Sequence, residues 1–200
     1  MHEKLDNSKS RDQKDDYALI KAFQKGEKAA FDVLVLRYKD RIFNLCIRFL
    51  GDYHEAEDIA QDVFLKAYNS LKKFRFESSF FTWLYRIALN SCKNRVRSLH
   101  FRFRRSDGGI DFFEENLKGI HREYHTDRNE GPASELENKE VIKILHQAIE
   151  SLPLDQKSVV ILRDIQGLSY EEIAEITGFK LGTLKSRLSR ARNFLRNKLG

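Results

Sequence analysis

The sequence predicts an all-α fold: two small helical domains joined by a flexible linker, the second domain a helix-turn-helix. Three observations carry this reading. Only two Pro and ten Gly occur in 200 residues, which favours long helices over strands linked by turns. Apolar side chains recur at spacings of three and four towards both ends of the chain, the period of a helix with one buried face. Between them runs a stretch without sustained period, in which ten acidic residues face four basic ones from Asp107 to Glu140.

The domain organisation expected is an N-terminal arm over 1–14, a first domain over 15–100, an acidic linker over 101–137 and a second domain over 138–200. Met1 to Lys14 is polar and unpatterned, so order begins near Asp15. Ala18, Leu19, Ala22 and Phe23 make a short helix ended near Gly26. Ala29, Ala30, Phe31, Val33, Leu34 and Leu36 start a longer one, which runs through Ile42, Leu45, Cys46 and Phe49 to a C-cap at Gly51. A third helix places Ala56, Ile59, Ala60, Val63, Phe64 and Ala67 on one face and Glu57, Asp58, Gln61, Asp62 and Lys66 on the other.

Charge changes sign abruptly beyond that helix. Asp52 to Asp62 holds five carboxylates and no Lys or Arg, a surface suited to a cationic protein groove. Phe74 to Tyr85 then holds six aromatics, and Arg86 to Arg105 seven basic residues with no acid. Aromatic faces beside cations suit unstacked nucleic-acid bases. A fourth helix from Phe80 to about Leu99 directs Leu84, Ile87, Ala88, Ser91 and Val96 mostly inward, with Phe80 and Phe81 expected to be buried. Trp83, Arg86, Asn90, Lys93, Asn94 and Arg97 share another flank, where the two amides can read a base edge.

In the second domain Val141, Ile144, Leu145, Ala148, Ile149 and Leu152 mark a helix that stops before Pro153, and Val159, Val160 and Leu162 mark the next. Ser169 with Glu172 forms a capping box opening a helix to Thr177, and Gly178 makes the turn. The last helix aligns Leu181, Leu184, Leu188, Ala191 and Leu195. It also carries Lys180, Lys185, Arg187, Arg190, Arg192, Arg196 and Lys198, and no acid follows Glu175, as suits a helix lying in a major groove.

Composition narrows the function classes. The balance of 36 basic and 30 acidic residues leaves a charge of +6, and basic segments alternating with acidic ones point to nucleic acid. The arm is charged, and no apolar run reaches the roughly 20 residues that a membrane span needs, so no insertion in a membrane and a cytoplasmic location are expected. Cys46 and Cys92 lie on apolar-patterned helices and read as buried thiols. His121 and His125 stand four apart in HREYH, without the Glu that directly follows the first His in zinc proteases, so neither a metal nor a cofactor is expected. No acid-base constellation suggests an enzyme.

Two long strings carry a family resemblance. EDIAQDVFLKAYNSLKKF with ESSFFTWLYRIALNSCKNRVRS, and LPLDQKSVVILRDIQGLSYEEIAEITG with LGTLKSRLSRAR, resemble bacterial RNA polymerase sigma factors of the extracytoplasmic-function (ECF) class. The resemblance implies binding to core RNA polymerase, with Glu57, Asp58, Gln61, Asp62 and Lys66 on the β′ clamp helices and further contact with the β subunit. It implies that the loop Arg75, Phe76, Glu77 and Ser78 pockets an extruded base, while Trp83, Arg86, Asn90, Lys93, Asn94 and Arg97 hold the minus-ten promoter element as single strand. Lys185, Ser186, Ser189 and Arg190 would read the minus-thirty-five duplex, with Thr183, Arg187 and Arg192 nearer phosphates. The linker would enter the RNA exit path, and an anti-sigma factor is the further partner expected. Phe76 stands where relatives often have Gly, and Lys180 where Pro is usual. A helix-turn-helix regulator of duplex operator DNA is the alternative that the second domain alone would permit.

Overall fold

The computed structural model describes residues 15–105 and 144–199, and every regular element among them is helical. Helix α1 covers 15–24. Its buried stripe is Asp16, Ile20 and Phe23, whereas Ala18 faces outward. The expected stripe was therefore rotated by one position, because a carboxylate takes an inward place: the Tyr38 hydroxyl donates to Asp16 at 2.5 Å and Arg37 at 2.6 Å. Burial, then the Asp16 bond, pushes the Tyr38 hydroxyl pKa up.

Helix α2 (Ala29–Leu50) ends at Gly51, whose φ of 76° is the left-handed cap that glycine adopts without strain. Asp52 caps α3 (Tyr53–Leu71) by accepting from the Glu55 amide. The apolar face of α3 packs inward as its period predicts, with Ala56, Ile59, Ala60, Val63 and Ala67 buried. Ser79 caps α4 (Phe80–Arg105), its hydroxyl accepting from the Thr82 amide at 3.0 Å. Helix α4 thus continues beyond the stop expected near Leu99. Phe80, Leu84, Ala88, Ser91 and Cys92 are buried, while Phe81 is only half-buried and stacks on Tyr85 with centroids 4.2 Å apart.

The C-terminal half begins with α5 (144–150), followed by α6 (Leu154–Val160), which widens into a π-helical turn over Ile161–Ile165. The Ser169 capping box opens α7 (Tyr170–Thr177), and Gly178 with φ of 73° turns the chain into α8 (Leu181–Leu199). Leu184, Leu188 and Ala191 of α8 pack with Ile173 and Ile176 of α7, giving the two-helix geometry that the spacing predicted. Residues 106–143, which hold most of the expected linker, its proposed course and the His121–His125 pair, lie outside the described residues, as does the N-terminal arm.

The two cysteines are free and buried, with Cys92 Sγ 3.7 Å from Cys46 Sγ. Their mutual hydrogen bond, with burial, raises the Cys92 thiol pKa well above its ordinary value. They act as apolar packing between α2 and α4.

Candidate functional site

Opposite its buried stripe, α3 exposes Glu57, Asp58, Gln61, Asp62 and Lys66 together. The acidic cluster read from Asp52 to Asp62 divides in the fold. Asp52 is spent on the helix cap, and Glu55 binds Arg95 of α4 through both its oxygens, so neither is a free surface charge. Lys66 reaches back to donate to Ser91 Oγ at 3.0 Å. The remaining acids are Glu57, Asp58 and Asp62, beside an apolar side chain, Leu65, that is 60% exposed.

The loop between α3 and α4 is tied down from α1. Gln24 donates through Nε2 to the carbonyls of Leu71 at 3.2 Å and Phe74 at 3.0 Å. Within the loop Phe76 has φ of 60°, the only non-glycine residue with positive φ among those described. A bulky side chain rarely accepts that conformation, and such strain persists only where its surroundings enforce it. Here the enforcing contacts are aromatic: Phe76 lies 5.0 Å from Phe74 and 4.7 Å from Tyr17, with Lys21 Nζ 4.7 Å above its ring. Arg75 and Glu77 point out to solvent as a loose pair at 3.6 Å, and Ser78 is half-buried.

Trp83 does not stand free on the α4 flank. Its ring is half-buried against Phe74 at 5.0 Å and Phe80 at 5.8 Å, so one side packs while the other meets solvent. Asn90, Asn94 and Arg97 are exposed along the same helix. In α8, Thr183, Lys185, Ser186, Ser189 and Arg190 are exposed, on the side away from Leu184 and Leu188. Ser186 returns its hydroxyl to the Thr183 carbonyl at 2.9 Å.

The remaining expected residues have intramolecular partners. Arg86 Nε donates to the Glu175 carbonyl at 2.8 Å, and the Thr82 hydroxyl donates to the Glu175 carboxylate at 3.2 Å. Lys93 of α4 and Arg187 of α8 converge on one carboxylate, Asp155, at 2.9 and 3.0 Å. Both cations also lie over the Phe179 ring, 5.5 and 3.8 Å from its centroid. Burial opposes ionisation of Asp155, yet Lys93, Arg187 and Arg97 together pull its pKa below the usual value. Arg192 pairs instead with Asp164 inside its own half, at 2.5 Å.

The two halves meet along this seam. Lys157 is 4% exposed, with Nζ 5.2 Å from the Phe49 centroid, and burial lowers its pKa. His146 and Glu150 of α5 cover Gly51. Burial, reinforced by Lys157 and Arg48, holds the His146 pKa down to about 4. Sequence reasoning found the cations of the seam but not their partners Asp155 and Glu175, which no local period marks.

What this geometry defines first is a class: a helical protein in two halves, the first offering an acidic strip and an aromatic–basic helix, the second a basic helix-turn-helix. The comparisons give that class its family. The family model for Sigma-70 region 2 matches residues 34–102, and that for Sigma-70 region 4 matches 142–195. The chain is 41% identical over 185 residues to the RNA polymerase sigma-H factor of Pseudomonas aeruginosa, covering 90% of this chain and 91% of that one. It is 40% identical over 185 residues to the ECF RNA polymerase sigma-E factor of Haemophilus influenzae, covering 92% and 95%. Among solved structures it resembles the sigma factor RpoE of Bartonella quintana in complex with the anti-sigma factor NepR, at TM-score 0.64 and 28% identity over 84% of this chain and 96% of that one. The fold is also that of CnrH in complex with the cytosolic domain of CnrY, at TM-score 0.62 and 23% identity over 92% and 97%. The chain belongs to the sigma-70 family, in its ECF class of RNA polymerase sigma factors.

Proposed function

We propose that this chain directs promoter-specific initiation by attaching to core RNA polymerase through the exposed face of α3 and to promoter DNA through α4 and α8. The observation that supports it best is the segregation of charge. Glu57, Asp58, Gln61 and Asp62 emerge together from one helix. The cations Arg86, Lys93, Arg97, Lys185, Arg187 and Arg190 belong to two others. An acidic face attracts the cationic clamp of a protein partner and repels DNA, whereas the basic helices do the reverse.

Promoter opening then needs no bond making or breaking. An unpaired base held by Arg75, Phe76, Glu77 and Ser78, with neighbouring bases against Trp83, Asn90 and Asn94, shifts the duplex towards its melted form by binding only that form. Lys185, Ser186, Ser189 and Arg190 on the exposed side of α8 read the minus-thirty-five duplex, while Thr183, Arg187 and Arg192 approach phosphates. The chain works in this way without catalysis of its own and in the cytoplasm; no described helix is long and apolar enough to cross a membrane. By likeness to the RpoE–NepR pair, an anti-sigma factor is the regulatory partner proposed.

The experiment is pull-down with core polymerase followed by transcription from a promoter library. Stable association with initiation from a subset sharing two spaced elements is expected. Binding to duplex DNA without support of initiation would instead identify an operator-binding regulator.

A further inference from the structure

We propose that Tyr17 of α1 is a stacking platform for an unpaired promoter base next to the α3–α4 loop, a site that extends the single-strand reading above and rests on it. Tyr17 is 52% exposed although its ring abuts Phe76 at 4.7 Å, so the residue is partly packed and partly open to solvent. Lys21 Nζ lies over both rings, 5.7 Å from the Tyr17 centroid and 4.7 Å from that of Phe76, where its flexible side chain can turn aside to a phosphate. An aromatic face flanked by a cation holds a base by stacking and its phosphate by charge. The strained Phe76 conformation fixes this pair at the loop proposed to receive the extruded base. The probe is a single-stranded minus-ten oligonucleotide, titrated against holoenzyme. Tyr17→Ala weakens binding about 5- to 150-fold, as alanine replacement of a stacking aromatic does, and Tyr17→Phe restores it. Removing one base from the oligonucleotide makes Tyr17→Ala silent at that position alone, which a purely structural role would not do. Wild-type affinity for Tyr17→Ala, with Trp83→Ala weakened, overturns the platform and leaves the reading of α4 standing. If Trp83→Ala and Asn90→Ala are also unchanged, the single-strand reading falls with it.

A separate observation, the seam, carries a second inference. The geometry points to an interaction surface formed by Asp155, Phe179 and Glu175 that occupies the DNA-facing flank of α4 in the free chain and competes there with promoter DNA. Its chemistry imitates a nucleotide strand: Asp155 receives Lys93, Glu175 receives Arg86 through its carbonyl, and the Phe179 ring lies under Lys93 as a base would. The same carboxylate binds Arg187 of α8, so one side chain occupies a cation of each proposed DNA-contacting helix. Asp155→Asn in the free full-length chain is the test, with Asp164→Asn as control, because Asp164 also neutralises an α8 arginine but does so within its own half. The single-stranded minus-ten oligonucleotide reports access to α4, and small-angle scattering reports separation of the halves. Asp155→Asn should expand the chain and raise oligonucleotide affinity about 1.5- to fivefold, the range for losing the one partly exposed ion pair, Lys93–Asp155, that crosses the seam, with Asp164→Asn unchanged. Equal affinities for the two variants, or expansion without a gain in affinity, overturn the masking. Holoenzyme initiation unaffected by Lys93→Ala and Arg86→Ala would identify failure of the underlying DNA reading instead.

Discussion

Replacing Gly51 by alanine isolates the packing of the two halves with one methyl group. Gly51 ends α2 with φ of 76°, and Gly178 ends α7 with nearly the same φ of 73°. Alanine in the left-handed region costs about 1–2 kcal/mol at either site. Their surroundings differ. A Cβ on Gly178 would have nothing within 4 Å, whereas one on Gly51 would lie 2.5 Å from His146 Cε1 and 2.6 Å from Glu150 Oε1. Those atoms must move, and displacing packed groups adds about 1–3 kcal/mol. Gly178→Ala should therefore lower the unfolding free energy by about 1–2 kcal/mol, and Gly51→Ala by about 2–5. Urea unfolding followed by circular dichroism gives both values, and scattering shows whether Gly51→Ala also loosens the halves. Equal losses at the two glycines, with no change in scattering, would refute the packing of α5 on the end of α2.

Charge reversal of Asp58 and Asp62 to Lys should weaken core-polymerase binding by at least tenfold in titrations of labelled protein, with an unchanged helical spectrum, since both side chains are exposed. Trp83→Ala and Asn90→Ala should depress initiation on duplex promoters more than on templates already unpaired at minus ten, where opening is supplied; Asn90 is the cleaner probe because Trp83 also packs on Phe74. Arg190→Ala should cost about 1–3 kcal/mol at one position of a randomised minus-thirty-five library, while Arg196→Ala lowers all sequences alike, as transcription at two salt concentrations will show. For His146, whose pKa is about 4 in the fold against 6.5 ordinarily, the unfolded chain binds the extra proton more readily, so stability falls as pH drops through that window. Up to about 3 kcal/mol is lost this way, partly offset by Glu150, whose carboxyl burial shifts upwards, and His146→Leu should flatten the slope between about pH 7 and about pH 5 in unfolding titrations.

Local rules made much of this fold legible. The α3 stripe, the Ser169–Glu172 box and the Gly51 cap each depend on residues a few positions apart, and each stands where its spacing predicts. Asp16 broke the α1 pattern because an inward carboxylate is favourable only when Tyr38 and Arg37, far along the chain, arrive to bind it. The partner of Lys93 lies 62 residues away, beyond the reach of any helical period. Phe76 was visible as an unusual residue for its loop; its left-handed backbone was not, since that follows from the rings of Tyr17 and Phe74 around it. The proposed DNA-contacting residues were legible as charge and aromaticity, but their occupation by the chain's own carboxylates required the fold.

Lys157 gives the seam a property that its contacts alone do not suggest. Its ammonium is shut away beneath Phe49, and burial depresses its pKa despite the nearby Glu150. A cation so placed is underhydrated, and water reclaims it when the halves part. Hydration therefore works as a spring compressed inside the closed form, opposing the ion pairs at its rim. An unbranched apolar side chain such as methionine at 157 would remove that spring and leave the chain shut more firmly, slower to hand its basic helices to DNA.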